Sequence, residues 1–155
     1  IDGTEVAAIV CEYLDGESLL HFLNRQKQKR LGVFPALHLL YSLAEGLDDI
    51  HRVGQYHGDL HLENIIIQRF GLEFEVKLFD FHHWQDTNKA NREEDIVKLI
   101  GVFCELLGGR KLYAKLPPSM KAIISGLKRG LILQKFKSMS DICYHLEVMD
   151  WSDAI

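Results

Sequence analysis

The segment His57-Gly58-Asp59-Leu60-His61-Leu62-Glu63-Asn64 is followed by the apolar run Ile65-Ile66-Ile67, and further along the chain reads Val76-Lys77-Leu78-Phe79-Asp80-Phe81. The first segment holds an acid and an amide in a predicted loop between an apolar helix and a short strand, and the second holds an acid after the next strand. A hairpin of the two strands would bring Asp59, Asn64 and Asp80 to one edge. Their oxygens are hard ligands suited to Mg²⁺, which binds through few protein oxygens together with substrate phosphates. We therefore predict a phosphoryl-transfer site at this edge.

Composition limits the class of protein. A length of 155 residues fits one domain, or one lobe of a larger domain, and a chain that is 47% hydrophobic and 26% charged is globular rather than disordered. The net charge of −4 gives no global attraction to nucleic acid or to an anionic membrane. No apolar run reaches the roughly 18 residues that a membrane span needs. We therefore expect neither nucleic acid nor a membrane as a partner.

The three cysteines, Cys11, Cys104 and Cys143, are widely spaced and lie in apolar segments. This pattern predicts buried free thiols in a reducing cytoplasm, because disulfides are rare there. No cysteine pair has a metal-binding spacing. A zinc site built from histidines of the 57–61 and 82–83 regions is a less favoured alternative, since it lacks cysteine partners and a helical His-x-x-x-His pair.

Hydrophobic periodicity predicts a mainly helical chain with one small hairpin. A buried strand is predicted over 5–13 and the hairpin strands over 64–68 and 72–79, with a polar loop at 80–91 after them. Helices are predicted over 18–29, 34–53, 92–107 and 119–128. An irregular stretch over 130–137 is then followed by a final helix capped by Ser140-Asp141. The basic run 25–30 is interpreted as complementing a helix C-terminus, without a ligand. The predicted fold class is α+β.

This order of elements resembles the C-terminal lobe of the protein-kinase superfamily over nearly the whole chain. Residues 57–64 are similar to the catalytic loop of that family, Asp80-Phe81-His82 to its metal-binding motif, and residues 9–19 to its hinge. Asp95 and Glu105-Leu106 match its buried helix. The resemblance implies a last N-lobe strand and hinge over 1–16 and a helical lobe over 17–155, with the N-terminal lobe largely absent.

The resemblance also implies ATP and Mg²⁺ as cofactors, and catalytic roles for three residues. Asp59 would accept or orient the proton of the attacking hydroxyl group. Asn64 and Asp80 would hold Mg²⁺ on the ATP phosphates. His57 would brace the metal-binding turn, and Asp95 would tie the backbone of the catalytic loop to the buried helix.

Four further residues would contact the nucleotide by the same resemblance. The carbonyl group of Glu12 and the amide group of Leu14 would bind adenine. Ser18 lies where a ribose contact is common, and Ile66 would form the floor of the adenine pocket.

Several positions depart from the family pattern. Gly58 replaces the arginine that reads a phosphorylated activation loop in many kinases, and the loop over 81–94 is short and lacks an Ala-Pro-Glu-like anchor. We therefore do not expect control by loop phosphorylation. His82 replaces the glycine of the metal motif, which reduces backbone freedom. His61 replaces a lysine, and the run over 57–61 is also similar to aminoglycoside- and choline-kinase-like enzymes.

These departures leave three interpretations of function. The first is an ATP-dependent phosphotransferase acting on a protein Ser/Thr hydroxyl group, which is slightly favoured, and the second is one acting on a small-molecule hydroxyl group. The third is a degenerate kinase fold used as a binding or scaffold module. Since the sequence holds no Gly-rich phosphate loop and no strand lysine of the kind kinases use, we expect this fragment alone to transfer phosphate very slowly at best. The uncovered edge at 6–11 and Ile66 predict a homodimer or a partner there.

Overall fold

The structure is a computed structural model that describes residues 10–71, 73–81, 89–150 and 152, and only the backbone of residues 70 and 73. A short strand and helix come first, followed by a long helix, a hairpin and four further helices. In chain order these are β1 (Glu17–Ser18), α1 (Leu19–Arg25), α2 (Val33–Arg52), β2 (Ile65–Phe70), β3 (Glu73–Leu78), α3 (Lys89–Leu106), α4 (Pro118–Ile124), α5 (Arg129–Lys135) and α6 (Met139–Val148). The described part is therefore mostly helical with a small antiparallel sheet, as predicted. None of the described helices has the length and hydropathy to cross a membrane.

The core is built on α2 and α3, the two longest helices. In α2 the side chains of Leu37, Leu40, Ala44 and Leu47 recur at three- and four-residue steps and are all buried. This spacing puts them on one face of the helix, and that face packs against α3 and α6. Most of the apolar residues of α3 are also buried. Both helices confirm the periodicity of the sequence, with ends within three residues of the predicted ones.

The sheet has three antiparallel strands and brings β2, which directly follows residues 57–64, next to β1 at the start of α1. The predicted hairpin is confirmed, with Ile66 opposite Lys77 and the turn at Gly71, whose φ is +64°. A third strand, β1, was not predicted; it pairs antiparallel with β2, with Ser18 opposite Ile66. Ile65 and Ile67 are buried while Ile66 is half-exposed, because successive residues of a strand point to opposite faces.

The predicted strand over 5–13 is not found in its described part. Residues 1–9 lie outside the described residues, and residues 10–15 adopt no regular secondary structure. Val10 is 96% exposed and Tyr13 is 84% exposed, so neither side chain is packed against the core. A strand needs a neighbour to accept and donate its backbone hydrogen bonds. No described strand pairs with this segment.

Three predictions on the helices need correction. Helix α1 ends at Arg25, and a single 3₁₀ turn, Lys27–Lys29, follows it with Gln28 at φ +61°. The stretch predicted to be irregular contains α5, whose Ile132 is fully buried. The cap of α6 is Ser138, which forms a capping box with Asp141. The hydroxyl and amide groups of Ser140 instead donate to the carboxylate of Asp48 in α2.

Candidate active site

Asp95, a buried carboxylate in α3, holds the backbone of the catalytic loop. Its Oδ2 atom accepts a hydrogen bond from the N–H of His57 at 2.8 Å, and its Oδ1 atom accepts one from the N–H of Gly58 at 2.9 Å. The Nε2 atom of His51, near the end of α2, lies 2.9 Å from Oδ2. The loop is therefore fixed to both core helices, as the resemblance implied for Asp95. The sequence analysis missed His51, whose only signal is its place four residues after Leu47 on the buried face of α2.

Asn64 joins the two ends of the loop. Its side-chain N–H groups donate to the backbone oxygen of Asp59 at 2.9 Å and to the Oδ2 atom of Asp59 at 3.4 Å. Asn64 is buried, whereas the side chain of Asp59 is 41% exposed. The carboxylate of Asp59 is thus held from the protein side while part of it remains accessible to a substrate.

His61 is the second group beside Asp59. Its Nε2 atom lies 3.4 Å from the Oδ2 atom of Asp59, and its Nδ1 atom accepts the backbone N–H of Glu63 at 3.2 Å. An Nδ1 atom that accepts a hydrogen bond leaves the ring proton of a neutral histidine on Nε2. The ring therefore presents its proton on the side of Asp59. From the sequence, His61 was recognised as a substitution but not as a neighbour of Asp59.

Asp80 lies between two residues that are each fixed to the loop. On one side the N–H of Phe79 donates to the backbone oxygen of Asn64 at 3.3 Å, and on the other the ring of Phe81 stacks on His57 with centroids 4.7 Å apart. Asp80 itself has φ +61°, which is uncommon for a residue with a side chain, and it is exposed. The ring contact with Phe81 is compatible with the predicted bracing role of His57, which stays a prediction. His82, the third residue of the metal motif, lies outside the described residues.

The donor set fits a magnesium ion better than zinc. Because the amide nitrogen of Asn64 donates to Asp59, its side-chain oxygen is the atom suited to a hard cation, and Asp80 adds an exposed carboxylate. Two protein oxygens are enough for Mg²⁺, which keeps water and phosphate ligands. Among the described residues no group of three His, Cys, Asp or Glu side chains is arranged to hold a metal ion. The predicted zinc alternative also involves residues 82 and 83, which are not described.

Two of the four predicted nucleotide residues, Ser18 and Ile66, lie opposite each other on the sheet, while Glu12 and Leu14 lie in the irregular segment before it. Ser18, Ile66 and Lys77 stand side by side across the three strands, and the Nζ atom of Lys77 lies 3.4 Å from the Oε1 atom of Glu12. Residues directly opposite each other share a face of a sheet, so this row lies on the face away from Ile65 and Ile67. The half-buried Leu14 is in the segment between Glu12 and the sheet.

Ser18 already has one partner. Its Oγ atom accepts the N–H of His21 at 3.2 Å and so caps α1. The hydroxyl proton of Ser18 is still a donor, so a ribose oxygen remains a chemically compatible partner.

The comparisons with known proteins agree with this arrangement. The chain matches the protein kinase domain family over residues 2–105. It is 40% identical over 78 residues to a serine/threonine-protein kinase of Myxococcus xanthus, and the aligned region covers 48% of this chain and 9% of that protein. It is 36% identical over 74 residues to the MAPK/MAK/MRK overlapping kinase of Homo sapiens, covering 48% of this chain and 16% of that protein.

The chain is also 38% identical over 82 residues to a serine/threonine-protein kinase of Corynebacterium efficiens, and the aligned region covers 51% of this chain and 14% of that protein. The chain thus spans less than a fifth of the length of each of these relatives. The family match covers the hinge region, the catalytic loop, the hairpin and nearly all of α3, and these are the elements that position the candidate site. This chain belongs to the protein kinase family.

Proposed function

We propose that this chain is the C-terminal, catalytic lobe of an ATP-dependent phosphotransferase that transfers the γ-phosphate to a hydroxyl group. The observation that carries the proposal is the pair of hydrogen bonds that the Asn64 side chain donates to Asp59, within a loop that Asp95 fixes at its backbone. Such fixed donors and acceptors suit a reaction that depends mostly on positioning and electrostatics. A loop without a chemical task would not need a buried amide against an accessible carboxylate.

In this proposal each site residue has one role. Asp59 accepts or orients the proton of the attacking hydroxyl group. The oxygen of that hydroxyl group bonds to the γ-phosphorus while the bond from the γ-phosphorus to the bridging β-phosphate oxygen breaks, and ADP leaves. Asn64 and Asp80 hold Mg²⁺, which when bound neutralises charge on the phosphates. Glu12 and Leu14 contact adenine through their backbone, Ser18 contacts the ribose and Ile66 supports the base from the outer face of the sheet.

The substrate is proposed to be a protein Ser or Thr hydroxyl group, which is supported by the similarity to two serine/threonine-protein kinases. A small-molecule hydroxyl group is the second candidate, because His61 lies 3.4 Å from Asp59 in a run similar to small-molecule kinases. The third candidate is a binding or scaffold module. It is favoured by the unusual backbone of Asp80 and by Gly58, which stands where many kinases have an arginine.

Calorimetric titration with ATP, with and without Mg²⁺, tests the proposal. We expect magnesium-dependent binding that Asp80→Asn removes and Asp49→Asn retains, because Asp49 is an exposed acid of α2 outside the site. Transfer of phosphate by this chain alone should be very slow. Nucleotide binding that is unaffected by both Mg²⁺ and Asp80→Asn would contradict the proposed metal site and favour the scaffold interpretation.

We also propose a cytoplasmic location and an association surface. The location rests on three free cysteines, for which the predicted burial is correct for Cys104 but wrong for Cys11, which is exposed, while Cys143 is half-buried. The surface combines Ile66 on the outer sheet face with the exposed Val10 and Tyr13 of the preceding segment, and a second copy of the chain is the proposed occupant. Light scattering should detect a dimer at high concentration that Tyr13→Ser weakens. A strictly monomeric protein would contradict this proposal.

A further inference from the structure

A cavity with a basic rim lies away from the candidate active site. It is bounded by α1, the turn between α1 and α2, the start of α2 and the hairpin, and its volume is about 270 Å³. We call it the cationic pocket. Its apolar floor and its basic rim are formed by Phe22, Leu31, Phe34, Pro35, Phe74, Lys27, Arg30 and Arg69.

The charge of the pocket is opposite to that of the chain. Lys27, Arg30 and Arg69 line it, and no acidic side chain lines it among the described residues, although the chain carries a net charge of −4. Within the described part, Lys27 and Arg30 are exposed and have no ion pair. Nearby Arg25 shows the contrast, because its guanidinium group is paired with Glu17.

The structure removes the helix-dipole explanation for most of this basic run. Helix α1 ends at Arg25, so Lys27 and Arg30 lie beyond its last turn, where the effect of the dipole has fallen off. The chain instead forms a defined turn, in which the N–H of Gln26 donates to the oxygen of Leu23 and the N–H of Lys29 donates to the oxygen of Gln26. The cations are therefore presented from an ordered turn, which lowers the entropy cost of binding a ligand.

The floor of the pocket suits an apolar side chain. Phe22 and Phe74 pack edge to face with ring centroids 5.9 Å apart, and the guanidinium carbon of Arg69 lies 5.9 Å from the centroid of the Phe74 ring. Phe34 stands at the edge with 60% of its surface exposed. The volume is at the lower end of small-molecule sites, which span about 300–1,000 Å³. One or two side chains of a peptide fit it better than a whole cofactor.

We propose that the cationic pocket docks an acidic peptide segment of a partner protein, with one aromatic or aliphatic side chain on the apolar floor and flanking Asp or Glu side chains against Lys27, Arg30 and Arg69. An apolar anchor in a pocket supplies most of the affinity of such contacts, and opposite charges on the rim supply selectivity and association rate. The residues that line the pocket are not those of the candidate active site, so this proposal does not rest on the proposed phosphotransfer.

A fluorescein-labelled peptide of about ten residues, with one central Phe flanked by Glu residues, is the probe. Fluorescence polarisation with the intact chain should show saturable binding. Arg30→Glu and Lys27→Glu should each weaken it about tenfold, and Phe34→Ala about fivefold. Lys98→Glu is the matched control, because it makes the same charge change at an exposed position of α3 that does not line the pocket and should alter binding less than twofold. All four positions are exposed, so thermal unfolding should confirm intact folds.

Two control ligands identify the partner chemistry. A peptide with Gly in place of the central Phe should bind at least fivefold more weakly, and one with Lys in place of Glu should not bind. Equal binding of the Gly peptide, or displacement by heparin that is equally effective in the Arg30→Glu variant, would overturn the proposal in favour of unspecific attraction of polyanions. Equal affinity of the wild type, Arg30→Glu and Lys98→Glu would overturn it as well.

Discussion

The Nε2 atom of His51 lies 2.9 Å from the Oδ2 atom of Asp95, although 44 residues separate them in the chain. The contact joins the end of α2 to α3 inside the core, and both side chains are buried. The same carboxylate oxygen also accepts the N–H of His57. The shape of the catalytic loop is therefore a property of the helical core.

Replacement of Asp95 should destabilise the whole chain. In Asp95→Asn, one of the two oxygens that accept the N–H groups of the loop becomes an NH₂ group, and the negative charge beside His51 is lost. Breaking a buried network of this kind costs about 3 kcal/mol. Urea denaturation should detect the loss. Asp49→Asn, at an exposed position of α2, is the control and should change the free energy of unfolding by less than about 0.5 kcal/mol. Equal stabilities of the two variants would contradict the role of Asp95.

The variant Asn64→Asp tests the link between Asn64 and Asp59. The substitution replaces a donor by an oxygen that faces the backbone oxygen and the Oδ2 atom of Asp59. We therefore expect the free energy of unfolding to fall by about 1–3 kcal/mol. Millimolar Mg²⁺ should restore more stability to this variant than to the wild type, because a cation between two carboxylates removes their repulsion. Thermal unfolding with and without Mg²⁺ measures both effects. Asn24→Asp, which makes the same substitution at an exposed position of α1, is the control. It should neither lose this stability nor be stabilised by Mg²⁺ more than the wild type.

Stability should fall on mild acidification. Burial lowers the pKa of His57 below its ordinary value of 6.5, while the neighbouring Asp95 opposes the shift in pKa. The unfolded chain therefore takes up this proton at a higher pH than the folded chain, and the folded state loses stability as the pH falls through about 6.5 towards the folded pKa. Burial lowers the pKa of His145 as well, with the same sign.

The unfolding temperature measured from about pH 8 to pH 5.5 checks this prediction. His57→Gln should remove part of the pH dependence, and His145→Gln a further part. A slope that is the same in His57→Gln and in the wild type would contradict the contribution of His57.

Gly16 is required where the hinge region meets the sheet. It has φ +121°, and a Cβ atom there would lie 2.5 Å from the backbone oxygen of Ile67. Gly16→Ala should therefore cost at least about 1–2 kcal/mol and displace the segment that carries Glu12 and Leu14. Gly46→Ala is the opposite control, because Gly46 lies inside α2 with open space around it, and should add about 0.5–1 kcal/mol. Chemical denaturation measures both variants.

The sequence predicted the elements whose stability arises from many regularly spaced apolar residues. Leu37 to Leu47 in α2 are one such series, and the catalytic loop could be recognised because Asp59, Asn64, Asp80 and Asp95 occur in a familiar order. The family match and the mostly helical fold agree with these predictions. The roles of the site residues remain predictions, although the structure brings Asp59 and Asn64 into contact.

The elements that were missed depend on contacts distant in sequence. Helix α5 has seven residues, a glycine near its start and one fully buried side chain, so it shows no clear period. The local pattern predicts Ser140-Asp141 as the cap of α6, but the cap is Ser138 and Ser140 donates to Asp48, 92 residues away. The three-way contact of Asp95 with His51, His57 and Gly58 likewise leaves no local pattern beyond the acid itself.

The two loop N–H groups that donate to Asp95 have a consequence for hydrogen exchange. Amide hydrogens of loops usually exchange quickly with solvent, because small local openings expose them. Those of His57 and Gly58 are bonded to a fully buried carboxylate, so an opening that exposes them must also leave that charge without its backbone partners. They should therefore exchange more slowly than other amides of the loop, which places this part of the candidate site closer to the core than to the surface in its local stability.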